Sequence, residues 1–341
     1  MGKNATDMKS RLSPSTIKRG SRCSFAAALS IMKNPDTGLR YQEAHGARTK
    51  DRMCEGIYFE SLLTGKQHEP REGDGGFYEA WQARLTDQNA RRIRWFADCA
   101  KVWLVRNEAD EIGRKLEVEL PDFILNGEAD YIGGIATAYS PNEKVVLDSK
   151  FASDIGRWDF DRAPKQQFLQ APTYSLLYAL LKPHNRFDLF TGAITQAKMG
   201  NIDRAAEMAS EWGKTTEILP AAYLIVENKE VPEYQTKSGT FIKAKPHMRM
   251  TILDITPIDM LKLYFFYMQF DDLIGELVMH GNKYDTKIAH RIGAGDTKCN
   301  GTNFMGEHPG RCPMNSVCEI GRRIIGGNPR VGLSDIEELT N

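Results

Sequence analysis

The sequence predicts an α/β fold in which a central mixed sheet is flanked by helices. Three observations carry this. Segments with helical and strand-like patterning follow one another in blocks, in the order helix, strands, helix, strands, helix. The middle block alternates apolar and polar residues between two turn signals, Asn126-Gly127 and Ser140-Pro141-Asn142. At 341 residues, 41% of them hydrophobic, the chain is long enough to bury a sizeable core.

The elements follow in order. The stretch "LSPSTIKRGSRCSFAAALSIMKN" opens on Ser-Pro-Ser, a helix start, and "CEGIYFESLLTG" reads as a helix ending at Gly65. A long helical stretch, "GFYEAWQARLTDQNARRIRWFADCAKVWLVRNEADEIG", is expected to break once or twice. Its Arg91, Arg92 and Arg94 read as a solvated basic face. Three antiparallel strands are expected at about 115–125, 127–138 and 144–151. "APKQQFLQAPTYSLLYALLK" is helical, with Pro172 kinking or restarting it. "FDLFTGAIT", "AAYLIVENK" and "HMRMTILDIT" read as further strands, and "PIDMLKLYFFYMQFDDLIGELVMHG" as a strongly periodic helix. The last fifty or so residues, rich in Gly, Cys, Pro and Asn, need a source of stability other than an apolar core.

The charge balance limits the partners. With 45 acidic and 45 basic residues the formal net charge is zero, so contact with nucleic acid has to be confined to a groove or channel. No apolar run has the length of a bilayer span, and the N-terminal stretch lacks the apolar core of a signal peptide. A cytoplasmic protein is expected, with reduced cysteines. "SEWGKTT" resembles the end of a phosphate-binding loop, but Met208 stands where that loop has its first glycine.

The acidic residues point to chemistry through their context. An acid followed two positions later by lysine occurs at Asp7, Asp148, Glu227, Asp285 and Asp296. Only the Asp148 and Glu227 copies end an apolar strand. Only the Asp148 copy follows a strand carrying a central acid, Asp130 in "NGEADYIGG". Two carboxylates on adjacent strands repel each other, and a divalent cation between them removes the conflict. Oxygen ligands suit Mg²⁺ or Mn²⁺, which activates water and polarises a phosphodiester. Lys150 would then orient the water or offset charge on the phosphate, and Glu60 is placed in the sequence to supply a third carboxylate; on the pattern alone, the alternative is an ordinary solvated strand end.

These stretches, "GIYFESLLTG", "GEADYIGG", "VVLDSK" and "QAPTY", resemble in their order the PD-(D/E)XK nuclease superfamily, in its RecB-like exonuclease branch. The resemblance implies metal ligation by Glu60, Asp130 and Asp148, with Lys150 catalytic. It also implies DNA contacts from Gln170 and Tyr174. Many RecB-like members have His where this chain has Glu60, and Pro172 inside the Gln170–Tyr174 segment departs from the pattern.

The six cysteines divide the same way. Cys54 and Cys99 sit in helix-like surroundings and read as buried free thiols. Cys23, Cys299, Cys312 and Cys318 resemble the four ligands of the [4Fe-4S] cluster that encloses the core in AddB-type and CRISPR-associated RecB-like nucleases. Structural Zn²⁺ is the alternative, since His308 lies between two of them. The division expected is an N-terminal segment at 1–35, a helical region at 36–114, a nuclease core at 115–285 and a cysteine-rich module at 286–341. The activity implied is a Mg²⁺- or Mn²⁺-dependent DNA exonuclease acting on single-stranded or free-ended DNA in recombination, repair or phage DNA metabolism. A homo-oligomer is compatible with it. A structure-specific endonuclease and a non-catalytic DNA-binding or assembly factor are the alternatives. Arg157, Arg162 and Lys165 are candidate phosphate contacts, and Trp158 and Phe160 candidate base platforms, with Trp158 favoured as core.

Overall fold

The computed structural model describes residues 9–16, 47–68, 76–137, 142–159, 168–229, 234–235, 241–242 and 245–279. In chain order its elements are β1 (Arg11–Leu12), α1 (Ala47–Thr64), α2 (Phe77–Gln82), α3 (Asp87–Lys101), β2 (Leu104–Val105), β3 (Glu111–Glu119), β4 (Ile124–Ile135) and β5 (Glu143–Ala152). A turn of 3-10 helix, Ile155–Trp158, follows. Then come α4 (Gln170–Leu180), α5 (Phe187–Lys198), α6 (Ile202–Thr215), β6 (Ala221–Glu227), β7 (Tyr234–Gln235), β8 (Phe241–Ile242), β9 (Met248–Leu253) and α7 (Pro257–Met279). Among the described residues no helix is long and apolar enough to cross a membrane.

Two compact units emerge. The larger spans 47–118 and 126–263. Its sheet runs β4, β5, β6, β9, with β2 and β3 also pairing β4. The β4–β5 and β6–β9 ladders are antiparallel and β5–β6 is parallel, so the sheet is mixed. A parallel pair needs a long crossover, and α4, α5 and α6 supply it. All seven residues of β6 are buried, as are Val145 to Ser149 of β5, which is why both read as continuous apolar runs.

Strand alternation sorts the two faces. Tyr131, Leu147, Ala222, Leu224 and Val226 pack with Phe59 and Leu63 of α1 and Phe96 of α3. Ala221, Tyr223 and Ile225 pack with Ala171 of α4 and Phe168. Phe151 stacks on Phe59 with ring centroids 4.8 Å apart, fixing α1 across β5. The helix α3 forms because Thr86 caps it, accepting from the Asn89 N–H at 3.3 Å, and because Ile93, Phe96, Ala97 and Ala100 form one buried stripe. Thr256 and Asp259 cap the start of α7 reciprocally, at 3.1 and 3.2 Å.

The smaller unit is described at 9–16, 119–125 and 264–279. There β1 pairs in parallel with Ile124 and Leu125, and Phe123 stacks on Tyr264 at 5.3 Å. Lys9 Nζ meets Glu119 Oε1 at 2.9 Å and donates to the Leu120 carbonyl.

Two expectations are corrected. "FDLFTGAIT" is helical: α5 and α6 form a helical pair in which the Phe190 ring meets Trp212 at 4.7 Å. Asn126-Gly127 is no hairpin turn but lies inside β4; the chain reverses at Pro121-Asp122, where the Leu120 N–H reaches the Phe123 carbonyl at 2.9 Å. Glycine is required at 127 for a different reason, since a Cβ there would lie 2.4 Å from the Tyr174 ring. Of the two roles expected of Pro172, kinking or restarting a helix, the second agrees with the structure: it sits in the first turn of α4, where a missing N–H costs little.

Candidate active site

The site lies where the ladder between β4 and β5 stops. Paired residues run from Ile135–Glu143 to Tyr131–Leu147. Further along β5 the Ser149 N–H is accepted by Asp130 Oδ2, at 2.8 Å, in place of a main-chain carbonyl. The same oxygen accepts from Ser149 Oγ at 3.0 Å. Asp130 is thereby satisfied and fixed in direction although buried.

Asp148 follows on β5, 1% exposed, and Lys150 Nζ lies 2.6 Å from its Oδ2. Burial by itself lowers the pKa of Lys150. Asp148, and then Asp130 and Glu60, outweigh it and raise the value, so the group is an ammonium at neutral pH. The expected acid-x-Lys pair is therefore present as a charged unit at the edge of the core.

Glu60 comes from the last turn of α1. The helix ends at Gly65, whose φ of 83° reverses the chain. Lys66 then folds back so that its Nζ lies 2.7 Å from Glu60 Oε1 and 3.0 Å from Glu128 Oε1. Burial pushes the Glu60 carboxyl up, and Asp130 pushes it further; Lys66 and Lys150 pull it down, and the balance stands at about 7. The two acids are thus close enough to feel each other's charge. Lys66 is itself raised to about 12: burial opposes this, but Glu60, Asp130 and Glu128 overcome it.

Glu60, Asp130, Asp148 and Lys150, expected as a set, are brought into one electrostatic cluster. Sequence reasoning missed Lys66 and Glu128. Glu128 had a signal, lying two residues before Asp130 in the same strand. Four carboxylates face two ammonium groups, leaving two negative charges when all are ionised. Hard oxygen donors with that excess fit a divalent cation by charge and by chemistry. Among the described residues, no group of three or more His, Cys, Asp or Glu side chains is already arranged to hold one; the two lysines stand against the carboxylates instead.

The other expected positions are scattered in fate. Gln170 Nε2 donates to Tyr174 Oη at 3.4 Å, and the Tyr174 ring covers β4 at Gly127, one residue from Glu128. Trp158 is half-buried and packs against the core, meeting Phe168 edge-on at 6.0 Å. Arg157 pairs with Asp154 at 3.6 Å. Arg92 is no free basic residue: it pairs with Glu55 at 3.0 Å and donates to Asn228. Asn228 in turn donates to Glu55 at 2.8 Å, while Glu227 meets His247 Nδ1 at 2.8 Å, so this second acid-x-Lys copy ties β6 to its neighbours. Cys54 is buried and Cys99 half-buried, both as free thiols. Cys23, Cys299, Cys312, Cys318, His308, Phe160, Arg162 and Lys165 lie outside the described residues.

No protein-family model matches the chain, and no curated protein matches it in sequence.

The raised Glu60 pKa has a measurable consequence. The folded state holds the Glu60 proton between the ordinary value of 4.5 and about 7, where the unfolded chain has released it. The stability contributed by that proton is present below 4.5 and is lost as pH rises through 7. Melting temperatures in EDTA are therefore expected to fall between pH 5 and 8 by more in the unmodified protein than in Glu60→Gln.

Proposed function

We propose that the chain is a divalent-metal-dependent DNA exonuclease of the PD-(D/E)XK type. The observation that carries this is the conjunction of Asp130, Asp148 and Lys150 at the end of the β4–β5 ladder with Glu60 of α1 inside one electrostatic cluster. Glu60, Asp130 and Asp148 are the residues that would hold Mg²⁺ or Mn²⁺. When bound, that ion activates water and polarises the phosphodiester.

The chain's own groups do the rest. Ser149 aims Asp130 through two hydrogen bonds, so one carboxylate is positioned before any ligand arrives. Lys150, held charged by Asp148, donates a proton-bearing hydrogen bond to the attacking water or to a phosphate oxygen as negative charge builds there. Glu60, part-protonated near pH 7, would release that proton to solvent on holding the ion. Four thiolates, Cys23, Cys299, Cys312 and Cys318, suit a [4Fe-4S] cluster, or zinc with His308 replacing one of them.

Purified protein incubated with end-labelled linear DNA and with circular DNA tests the assignment. Degradation of the linear form in Mg²⁺ or Mn²⁺, abolished by EDTA, is expected. Cleavage of the circle would instead mark an endonuclease, and binding without metal-dependent cleavage a DNA-binding factor. A brown preparation with visible absorption is expected for the cluster; a colourless one containing zinc contradicts it.

A further inference from the structure

A cavity of about 320 Å³ opens beside the carboxylate cluster, lined by the polar side chains of Glu60, Lys66 and His68 and the apolar ones of Met53, Ile57 and Phe77. A second cavity, of about 390 Å³, shares Lys66 and His68 with it. Resting on the nuclease assignment, we propose that the first cavity holds a single nucleotide of the DNA strand, its phosphate on Lys66 and its base against Phe77, and that Lys66 becomes available by giving up Glu60.

Three features lead there. Glu60 belongs both to the cavity and to the carboxylate cluster, so a ligand in the cavity lies next to the place where the phosphodiester would be cut. The volume is at the small end for ligand sites and suits one nucleotide rather than a duplex. Cationic and flat apolar groups line one space, which is the pairing that takes a phosphate together with a base.

Lys66 connects the cavity to metal binding. Its Nζ lies 2.7 Å from Glu60 and 3.0 Å from Glu128, and an ammonium group and a divalent cation compete for the same Glu60 oxygens. Once Glu60 is withdrawn, Lys66 keeps Glu128 as one partner and has donors left for an anion. The Lys66 stem runs over Gly113, where a Cβ would come within 2.9 Å of Cδ, so the backbone there leaves room for that side chain. His68, with its ring 4.5 Å from that of Tyr78, forms a second polar wall beside it.

The test uses the full chain and two titrations: Mn²⁺, followed by the electron paramagnetic resonance of the free ion, and thymidine 5′-monophosphate in the presence of Mn²⁺, followed by calorimetry. Because Lys66 opposes one ligand and binds the other, Lys66→Met is expected to tighten Mn²⁺ about tenfold and to weaken the nucleotide about tenfold. Phe77→Ala is expected to weaken the nucleotide alone, and Lys66→Arg to stay near the unmodified protein in both. A damaged fold would weaken both ligands, so only shifts of opposite sign support the proposal. Mn²⁺ binding that Lys66→Met leaves unchanged or weakens, or nucleotide binding that it leaves unchanged, overturns it. Asp148→Asn separates the two levels. If that variant loses Mn²⁺ while Lys66→Met shifts neither ligand as stated, the cavity assignment falls and the metal site stands. If it binds Mn²⁺ like the unmodified protein, the metal site falls and takes the cavity with it.

Discussion

Asp148→Asn is expected to lower metal-dependent DNA hydrolysis by about a thousandfold or more, the scale on which removal of a charged group from a reacting centre acts. The substitution keeps the shape and removes the charge. Two roles go with it: the proposed ligand for the divalent ion and the counter-ion that holds Lys150 at 2.6 Å. Activity of Lys150→Met is expected to fall by a similar factor, because the group proposed to face the developing phosphate charge is then absent. Stability separates chemistry from damage. Breaking one half of a buried ion pair costs about 3–5 kcal/mol when the remaining charge is fully uncompensated. Here Asp130 and Glu60 still face Lys150, whose side chain is 23% exposed, so about 1–3 kcal/mol is expected for Asp148→Asn. In the double variant Asp148→Asn/Lys150→Met neither member of the pair is left without the other, and chemical denaturation is expected to recover part of that loss, limited by Asp130 and Glu60 losing Lys150 as a counter-ion, while activity stays absent. Recovery of activity in the double variant would remove both residues from the chemistry.

Gly127→Ala carries the second large effect, this time on the fold that positions the site. The new methyl group would lie 2.4 Å from Cε1 of Tyr174 and 2.9 Å from its Cδ1. The ring is buried, 6% exposed, in a helix whose first two turns are almost entirely buried, so it has no low-cost rotamer to retreat to. Overpacking of this kind costs about 1–3 kcal/mol, and the upper end is expected here. The strain falls on β4 one residue from Glu128 and three from Asp130, so metal affinity is expected to drop with stability. Tyr174→Leu should relieve the clash: its combination with Gly127→Ala is expected to be more stable than the sum of the two single effects. Strictly additive costs, read from urea midpoints, would show that the ring is not what holds position 127 to glycine.

How much of this was legible in the sequence depends on whether the signal was local. β5 and β6 were readable because a doubly covered strand is a continuous apolar run, and Asp148-Ser149-Lys150 stood out by interrupting one. Asp130 was readable as an acid in a half-apolar strand, although its partner, the Ser149 main chain, was not. Glu60 was placed by its position in a helix expected to pack on these strands. Lys66 was invisible because it reaches Glu60 by way of the turn at Gly65, six residues on, a spacing with no helical or strand periodicity. "FDLFTGAIT" misled because aromatic and β-branched residues favour strands, whereas its partner, the buried stripe of α6 with Trp212, lies some twenty residues away in sequence. Asn126-Gly127 misled because the same glycine that marks a turn also marks a close approach, and only the Tyr174 ring distinguishes them.

The central claim is that Glu60, Asp130 and Asp148 share one divalent ion beside Lys150. Anomalous scattering from crystals grown with Mn²⁺ tests it most directly. A single strong peak bounded by oxygens of those three side chains, at roughly the 2.0–2.2 Å expected for such an ion, is the predicted result. Crystals that hold Mn²⁺ elsewhere, for instance at Glu227 and His247, with Lys66 still seated on Glu60 and Lys150 on Asp148, would contradict it.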